Sequence, residues 1–496
     1  MGIEIILLLV LNTLSPVVIR FSLLAILVAL FCVRPLGKLC AQPTDATYAT
    51  SASSGTDYGI LSIGSGSVTP PNDAASGTAS ADKKPNDKYS TISVSSTAGL
   101  VSEWLHLTFT TAATASTAAP KTVYIRISEV TSALLGSSMA ITAYSTASGV
   151  SSPSTTLPSK MYYLADGTIL MALTITSNFR SVRITLTSPV ALGTNTMRVH
   201  YAFYNLLATN TSNPYPFNAA DCGVPNVTSK SIEGGLLTIA SIENPEKAID
   251  GDPAISKSSF RVFLSVGNLA LLPTTSTKLK QTFFFNGLSN LSEAVRVRIS
   301  QSTGLVAASL LSQIYIKAYN GSDSVGSSQL VNNLIEIDLL NSVGTNPMDF
   351  FFAPKTSDGV SVAFDRIEVT LEIKGLSLGL GESFPLHIHD VRRVPDAPTA
   401  IDASVCTNVG TVALTAESPL STTPGVTVAY QWYNVIRGGS AIPGAGQTYN
   451  VVGLTTPGTY TYYADVAKTG CEASVRRKVT VSVTLPPLSP PVSLKP

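Results

Sequence analysis

Short runs in which apolar and polar residues alternate recur along this chain. In WLHLTF, at residues 104–109, leucine and phenylalanine alternate with tryptophan, histidine and threonine. A period of two places successive side chains on opposite faces of a β-strand, so this run predicts a half-buried strand. Further runs of this kind follow, separated by glycine, serine and proline. The pattern predicts an all-β chain of sandwich domains.

One stretch of the chain is present twice. RVRISQSTGLVAASLLSQIYIKAY, at residues 296–319, resembles YIRISEVTSALLGSSMAITAY, at residues 124–144. The sequence therefore predicts a duplicated β-sandwich, each copy with its own core. Five predicted strands occur in the same order in both copies: residues 103–109, 124–128, 140–144, 179–186 and 197–203, then 279–285, 296–300, 314–319, 364–371 and 384–391.

The C-terminal part of the chain has motifs of its own. YQWY at residues 430–433, GLTTPGTYTYYADV at 453–466 and VTVSV at 479–483 resemble bacterial immunoglobulin-like modules of exported surface proteins. The resemblance implies an immunoglobulin-like sandwich with Trp432 in its core. The expected fold class is therefore all-β: two homologous jelly-roll-like β-sandwiches followed by an immunoglobulin-like β-sandwich.

Composition restricts the location and the partners of the protein. Lys and Arg (32) nearly balance Asp and Glu (31), so no net field favours nucleic acid, and a nucleic-acid role is excluded. Arg20 precedes an apolar run at residues 21–33, which predicts a secretory signal cleaved near Ala41 or Gln42. We therefore expect a protein that is secreted or displayed on a bacterial cell surface. Contact with a membrane is expected only through the signal segment or an unseen anchor.

The chain divides into six segments. Short linkers that contain proline predict domains strung one after another rather than packed into one mass. The segments are a signal peptide (1–42), a first sandwich (43–209) with a low-complexity start to about residue 86, a linker (210–221), a second sandwich (222–394), the immunoglobulin-like domain (395–484) and a proline-rich tail (485–496).

Three cysteines follow the signal segment. An exported chain meets oxidising conditions, so a disulfide is expected. The expected pair is Cys406 with Cys471, because both lie in the immunoglobulin-like segment. Cys222 is then left over, either as an inert thiol or as a link to another chain.

Two groups of residues are candidate metal ligands. NPEKAIDGD, at residues 244–252, resembles a turn of galactose-binding-like jelly-roll domains, and Asp250 and Asp252 are candidate calcium ligands there. A turn held by aspartate side chains is the alternative. His387 and His389 share one strand face, but no third ligand is in register. A solvated strand face is therefore favoured over a zinc site.

No catalytic motif stands out. The chain has no G-x-S-x-G, no phosphate loop and no H-E-x-x-H, and the Asp-Gly-Asp turn and the histidines do not recur in both copies. We expect a non-enzymatic adhesion or structural protein without a cofactor, calcium excepted. Carbohydrate binding by aromatic residues such as Trp104 and self-assembly through sheet edges are the alternatives. The expected partners are a surface glycan, a protein ligand or a second copy.

Overall fold

A computed structural model gives the fold of most of the chain. The predicted signal segment, the linker 210–221 and residues 487–496 of the tail lie outside the described residues. The structure describes residues 47–76, 88–130, 139–149, 154–156, 160–188, 194–204, 222–234, 239–264, 276–300, 312–334, 347–373, 381–407 and 410–486.

The described residues are almost entirely β-structure, so the predicted fold class is confirmed. Within those ranges the one α-helix is Asp73–Ser76. No helix in the described parts of the chain is both long and apolar enough to cross a membrane.

Eleven strands form the first sandwich. A front sheet has the order β1-β4-β10-β6-β7, and a back sheet has the order β2-β3-β11-β5-β9-β8. Leu105, Leu107 and Phe109 are fully buried between the sheets, as the alternation predicted. The strands are β1 (Thr47–Tyr58), β2 (Ile63–Thr69), β3 (Ser90–Ala98), β4 (Val101–Ala113), β5 (Lys121–Ser128), β6 (Met139–Tyr144), β7 (Ser154–Thr156), β8 (Lys160–Leu164), β9 (Ile169–Ile175), β10 (Phe179–Ser188) and β11 (Thr194–Tyr204).

Ten strands form the second sandwich in the same arrangement. Its front sheet is β12-β15-β20-β17-β18 and its back sheet is β13-β14-β21-β16-β19. The order matches the first sandwich strand for strand, except that no counterpart of β8 is found among the described residues of the second sandwich. The strands are β12 (Val227–Glu233), β13 (Ile239–Glu243), β14 (Ser258–Leu264), β15 (Thr277–Phe284), β16 (Glu293–Ser300), β17 (Ile314–Asn320), β18 (Asp323–Leu330), β19 (Met348–Phe352), β20 (Arg366–Ile373) and β21 (Gly381–Pro395).

The immunoglobulin-like domain has a three-stranded and a four-stranded sheet, β22-β24-β26 and β23-β28-β27-β25. Trp432 is fully buried between them, and its indole N–H donates to the carbonyl of Gly446 at 2.9 Å. The implied core tryptophan is therefore confirmed. The strands are β22 (Thr399–Ala400), β23 (Ala403–Cys406), β24 (Thr411–Glu417), β25 (Val428–Tyr433), β26 (Thr448–Val452), β27 (Gly458–Lys468) and β28 (Arg477–Thr484).

The low-complexity start of the first sandwich contains regular structure. Strand β1 pairs with β4 along its length, and β2 pairs with β3. Small residues are required here because a Cβ added at Gly55 would lie 2.5 Å from the Trp104 ring. The glycine at position 55 of β1 is thus required by packing against the neighbouring strand.

The predicted disulfide between Cys406 and Cys471 is wrong. Cys471 is bonded to Cys222, with Cα atoms 5.0 Å apart, and Cys406 is a free, exposed thiol. The reason is strand geometry: Cys406 pairs with Thr484 at the end of β28, whereas Cys471 precedes the start of β28. A strand of this length separates its ends by roughly 25 Å, which no disulfide spans.

The linkers predicted domains strung one after another, and the structure adds contacts between successive domains that the sequence did not predict. Strand β8 of the first sandwich pairs with β12 of the second, Leu164 opposite Val227. The Cys222–Cys471 bond joins the start of the second sandwich to the immunoglobulin-like domain. Each pair of successive domains is therefore in direct contact.

Peptide mapping under non-reducing conditions tests the disulfide assignment. We expect a cross-linked pair of peptides that contain Cys222 and Cys471, and alkylation of Cys406 without prior reduction, because Cys406 is exposed. A cross-link between Cys406 and Cys471 would contradict the structure.

Candidate functional site

The outward face of the back sheet is the most distinctive surface of the first sandwich. In β5, Val123, Ile125 and Ile127 point into the core, so the residues between them point outward. The neighbouring strand β11 places Phe203 opposite Tyr124, and the pairing is offset by a β-bulge between Val199 and Tyr201. The bulge leaves His200 as an extra residue.

The second sandwich has the same bulge at the same place. Arg296 of β16 lies opposite Arg392 of β21, and Arg298 lies opposite Asp390. The next pair is Ile299 with Ile388, so His389 is the extra residue. A histidine therefore occupies the bulge in both copies. The prediction that no histidine recurs is wrong, because the bulge breaks the alternation from which the copies were aligned.

In each copy the histidine of the bulge forms a hydrogen bond with an equivalent serine of the neighbouring strand. Ser128 Oγ and His200 Nε2 are 2.8 Å apart, and Ser300 Oγ and His389 Nε2 are 2.9 Å apart. The two serines stand at equivalent positions of the repeated R-I-S sequence. These hydrogen bonds fix the bulged strand to its partner, and this duplicated feature was missed in the sequence.

The predicted solvated face around His387 and His389 is wrong. The two side chains belong to residues that are 8% and 6% exposed. His387 Nδ1 is 2.9 Å from Ser259 Oγ. Burial, with a smaller contribution from the charge of Lys257, lowers the pKa of His387 to about 4. Both imidazoles are therefore neutral at pH 7, and they are covered rather than open to solvent.

The back-sheet face of the first sandwich belongs to an apolar cluster that extends into the second sandwich. Tyr124 and Phe203 stack with ring centroids 5.2 Å apart, and Tyr162 meets Phe284 edge to face at 5.4 Å. Phe284 belongs to the second sandwich and is fully buried. These residues share one apolar cluster, the aromatic junction, which comprises Tyr124, Tyr162, Leu164, Leu170, Ala172, Tyr201, Phe203, Val227 and Phe284.

Two charged residues at this junction have specific partners. Arg126 donates to the Tyr201 hydroxyl at 2.9 Å and to Thr168 Oγ1 at 3.0 Å, and it forms an ion pair with Asp166. Lys160 lies over the Phe284 ring at 4.9 Å. Arg126 is buried, and its partners lower the cost of removing it from water, whereas Lys160 is exposed and stacks on the ring.

The back-sheet face of the second sandwich contacts the immunoglobulin-like domain. Arg296 donates to Asp390 at 2.6 Å and to Glu472 of the third domain at 2.9 Å. Arg392 bonds the same two carboxylates, with closest distances of 2.9 and 3.6 Å. Asp390 is almost fully buried. We call this group of four side chains the ionic junction.

Two more contacts support the ionic junction. Glu293 of the second sandwich forms an ion pair with Lys468 of the third domain. The Arg393 N–H donates to the carbonyl of Gly223 at 2.8 Å, next to the interdomain disulfide. Gly223 has φ +75, and a Cβ there would lie 1.8 Å from the Arg393 carbonyl oxygen, so only glycine fits.

The two junctions use equivalent positions of the duplicated fold. In the second sandwich the outward face of β16 and β21 contacts the third domain. In the first sandwich the outward face of β5 and β11 shares an apolar cluster with Val227 and Phe284 of the second sandwich. The chemistry differs, because the first copy carries aromatic side chains where the second carries charges. The equivalent residues, by register, are Tyr124 and Arg296, Tyr201 and Asp390, and Phe203 and Arg392.

The calcium candidates lie together in a turn. The Asp252 N–H donates to Asp250 Oδ1 at 3.0 Å, and Lys247 Nζ is 3.4 Å from Asp250 Oδ2. Both contacts fit the turn interpretation. Among the described residues no group of three or more His, Cys, Asp or Glu is arranged to hold a metal. Calcium binding by Asp250 and Asp252 stays a prediction.

The aromatic residues proposed for sugar binding do not form equivalent sites. Trp104 and Tyr144 of the first front sheet enclose the Arg183 guanidinium, 4.1 and 5.1 Å from the two ring centroids. The second sandwich has Lys280 and Glu368 at the positions of Trp104 and Arg183, 3.9 Å apart as an ion pair. The two front faces therefore differ in chemistry.

Comparison with known proteins identifies the third domain. Residues 395–485 match a protein family described as an Ig-like domain, CHU_C associated. A domain of this kind and a disulfide are typical of extracellular proteins. No curated protein matches the chain in sequence.

Solved structures resemble parts of the chain only weakly. The PKD domain of human KIAA0319 is 18% identical over 20% of this chain and 90% of that chain, with a TM-score of 0.16. Carbohydrate-binding modules of the β-sandwich superfamily are 8% identical over 67% and 97%, with a TM-score of 0.20. A β-1,2-glucanase from Parabacteroides distasonis is 9% identical over 54% of this chain and 38% of its own, with a TM-score of 0.22. These similarities transfer neither a ligand nor an activity.

The buried imidazole of His387 predicts a pH dependence of stability. Its pKa is about 4 in the folded chain and about 6.5 in the unfolded chain, so the unfolded chain binds more protons between these values. The free energy of unfolding should therefore fall as the pH drops from 6.5 to 4, by about 3 kcal/mol from this residue.

Denaturant unfolding of the wild type and of His387→Asn, at pH 7 and at pH 4.5, measures this contribution. Asparagine can still accept a hydrogen bond from Ser259 but does not titrate. The variant should lose less stability between the two pH values than the wild type. An equal loss in both proteins would show that His387 is not the source.

Proposed function

We propose that this chain is a non-enzymatic structural or adhesion protein that displays its domains as one connected body. The β-sandwich and immunoglobulin-like folds support a structural or binding role. The observation that carries the proposal is the repeated use of one back-sheet face to contact the next domain. A repeated docking surface is a feature of architecture rather than of a reaction site.

The contacts at the two junctions support fixed domain orientations. Domains joined by short linkers move relative to one another unless their interface is large and apolar or otherwise constrained. The first junction combines a strand pair, Leu164 with Val227, and a buried aromatic cluster. The second combines the ionic junction with the Cys222–Cys471 disulfide. Fixed orientations place the outer loops at set distances, which strengthens weak contacts through multivalency.

An extracellular location fits this role. The disulfide requires oxidising conditions, and the apolar run at residues 21–33 is the expected export signal. We therefore place the protein outside the cell, secreted or on a bacterial surface. Its partners there would be a surface glycan or a protein ligand.

The recurring Ser–His pairs fit a structural role. A catalytic serine needs a substrate beside its hydroxyl and a base that is free to take the proton. Ser300 and His389 are both buried, and their hydrogen bond joins two adjacent strands. The pair is better explained as a structural hydrogen bond that holds the β-bulge against the neighbouring strand.

Carbohydrate binding by both sandwiches is less well supported. That function requires aromatic rings in equivalent, accessible places. Tyr124, Tyr162 and Tyr201 are buried in the aromatic junction instead. Trp104 is stacked on Arg183, and its counterpart is Lys280. The ring surfaces that a sugar would need are therefore occupied by side chains of the protein.

The spread of distances between the second and third domains tests the proposal. Dyes attached through non-natural amino acids at Ile255 and Ile401, which are exposed, report this distance by single-molecule energy transfer. We expect one narrow distance population in the wild type. The double variant Cys222→Ser, Arg296→Ala should broaden it, because both the disulfide and the central cation of the ionic junction are lost.

Cys406→Ser is the matched control, because it removes a thiol that makes no disulfide. It should leave the distance population unchanged. A broad population in the wild type would contradict the rigid arrangement. Cleavage of a polysaccharide by the purified chain would contradict the non-enzymatic role.

A further inference from the structure

Strand β2 is an open edge of the first back sheet. It pairs with β3, and no second partner strand lies beside it among the described residues. Its sequence, IGSGSVT, contains neither charge nor proline. Uncharged edge strands of this length present unpaired N–H and C=O groups to another strand.

The turn before β2 adds an exposed apolar surface. Ile60 is 95% exposed, Leu61 is 88% exposed and Ile63 is 66% exposed. Leu100 of the neighbouring turn lies beside them, because its carbonyl accepts from the Gly59 N–H at 2.9 Å. We call Ile60, Leu61, Ile63 and Leu100 the apolar tip. Exposed aliphatic residues gathered in one place mark an interaction surface.

The packing of the chain explains the glycines of β2 but not the apolar tip. A Cβ at Gly66 would lie 2.3 Å from Glu103 Oε2, so glycine is needed for β2 to lie over β4. Ile60 and Leu61 are not explained by packing within the chain, because their side chains are exposed to solvent. Their apolar character therefore needs a different explanation.

The equivalent edge of the second sandwich is blocked. Strand β13 ends at Glu243, which lies 3.3 Å from Arg261, and the Lys230 ammonium donates to the Ile242 carbonyl at 2.7 Å. Charged side chains along an edge prevent pairing with another chain. The duplicated fold thus carries one blocked edge and one open edge.

We propose that β2 is a dimer interface that pairs antiparallel with β2 of a second copy of this chain. A two-fold axis through Gly66 places Ile63 opposite Thr69 and Ser65 opposite Ser67, so the strand is complementary to itself. Beyond the strand, this register brings Leu61 of one copy beside the exposed Pro71 of the other. The apolar tip is then covered at both ends of the pair.

The absence of charge in this stretch favours a second copy as the partner. Residues 58–69 contain no Asp, Glu, Lys or Arg, so two copies meet without like-charge repulsion. A self-complementary surface closes as a dimer with two-fold symmetry. The interface is formed by the first back sheet alone, so the dimer does not depend on how the three domains dock.

Sedimentation velocity of the purified chain from about 1 to 100 μM tests the dimer. We expect a reversible dimer in the wild type. The double variant Ile60→Lys, Ile63→Lys should weaken it at least about tenfold, because two charges then replace the apolar tip at each end of the paired edge, and charged side chains on an edge strand oppose pairing. Both positions are exposed, so the thermal midpoint of the variant should stay close to that of the wild type.

The matched control is Ile255→Lys, Ile401→Lys. These residues are 82% and 87% exposed and lie in the second and third domains, so the variant gains the same charge elsewhere. It should dimerise as the wild type does. A wild type that stays monomeric, or a control as weak as the edge variant, would overturn the proposal. A monomeric wild type that binds neutral phosphatidylcholine vesicles would assign the apolar tip to a lipid surface instead.

Discussion

Burial of the outward back-sheet face next to the following domain is the constraint on which the arrangement of this chain depends. A β-sandwich usually keeps the outer faces of its two sheets in water. Here Tyr124, Tyr201 and Phe203 occupy such a face and are buried. Burying each of these rings contributes on the order of 2 kcal/mol. The first sandwich therefore buries an apolar outer face in a cluster that it shares with its neighbour.

The two copies of this face are buried next to the following domain by different interactions, aromatic in the first copy and ionic in the second. Aromatic contacts tolerate small shifts, so they do not fix the relative orientation of the two sandwiches. The strand pair between β8 and β12 fixes that orientation. Ionic contacts are directional, but they cost desolvation, and a buried pair adds little net stability. At the second junction the Cys222–Cys471 bond compensates by holding Glu472 near Arg296. Duplication preserved the position of the surface while its chemistry changed.

Alternation in the sequence predicted most of the strands because burial of one sheet face leaves a period of two. The alternation did not predict features that depend on a neighbouring strand. The extra residue at His200 shifts the alternation, so His200 and Tyr201 both face outward and the bulge is invisible in the pattern. The cysteine partners depend on which end of β28 each one reaches, and the sequence carries no signal for that. The small residues of β1 were mistaken for low complexity because their reason, the Trp104 ring, lies on another strand.

Hydroxyl-radical footprinting of the tyrosines in the intact chain tests the burial of the back-sheet face most directly. Tyr124, Tyr162 and Tyr201 should be protected, because they are buried in the apolar cluster that the two sandwiches share. Tyr58, which is exposed at the end of β1, should be oxidised readily and serves as the internal reference. Oxidation of Tyr124 and Tyr201 at the rate of Tyr58 would show that the two sandwiches are not docked and would contradict the account.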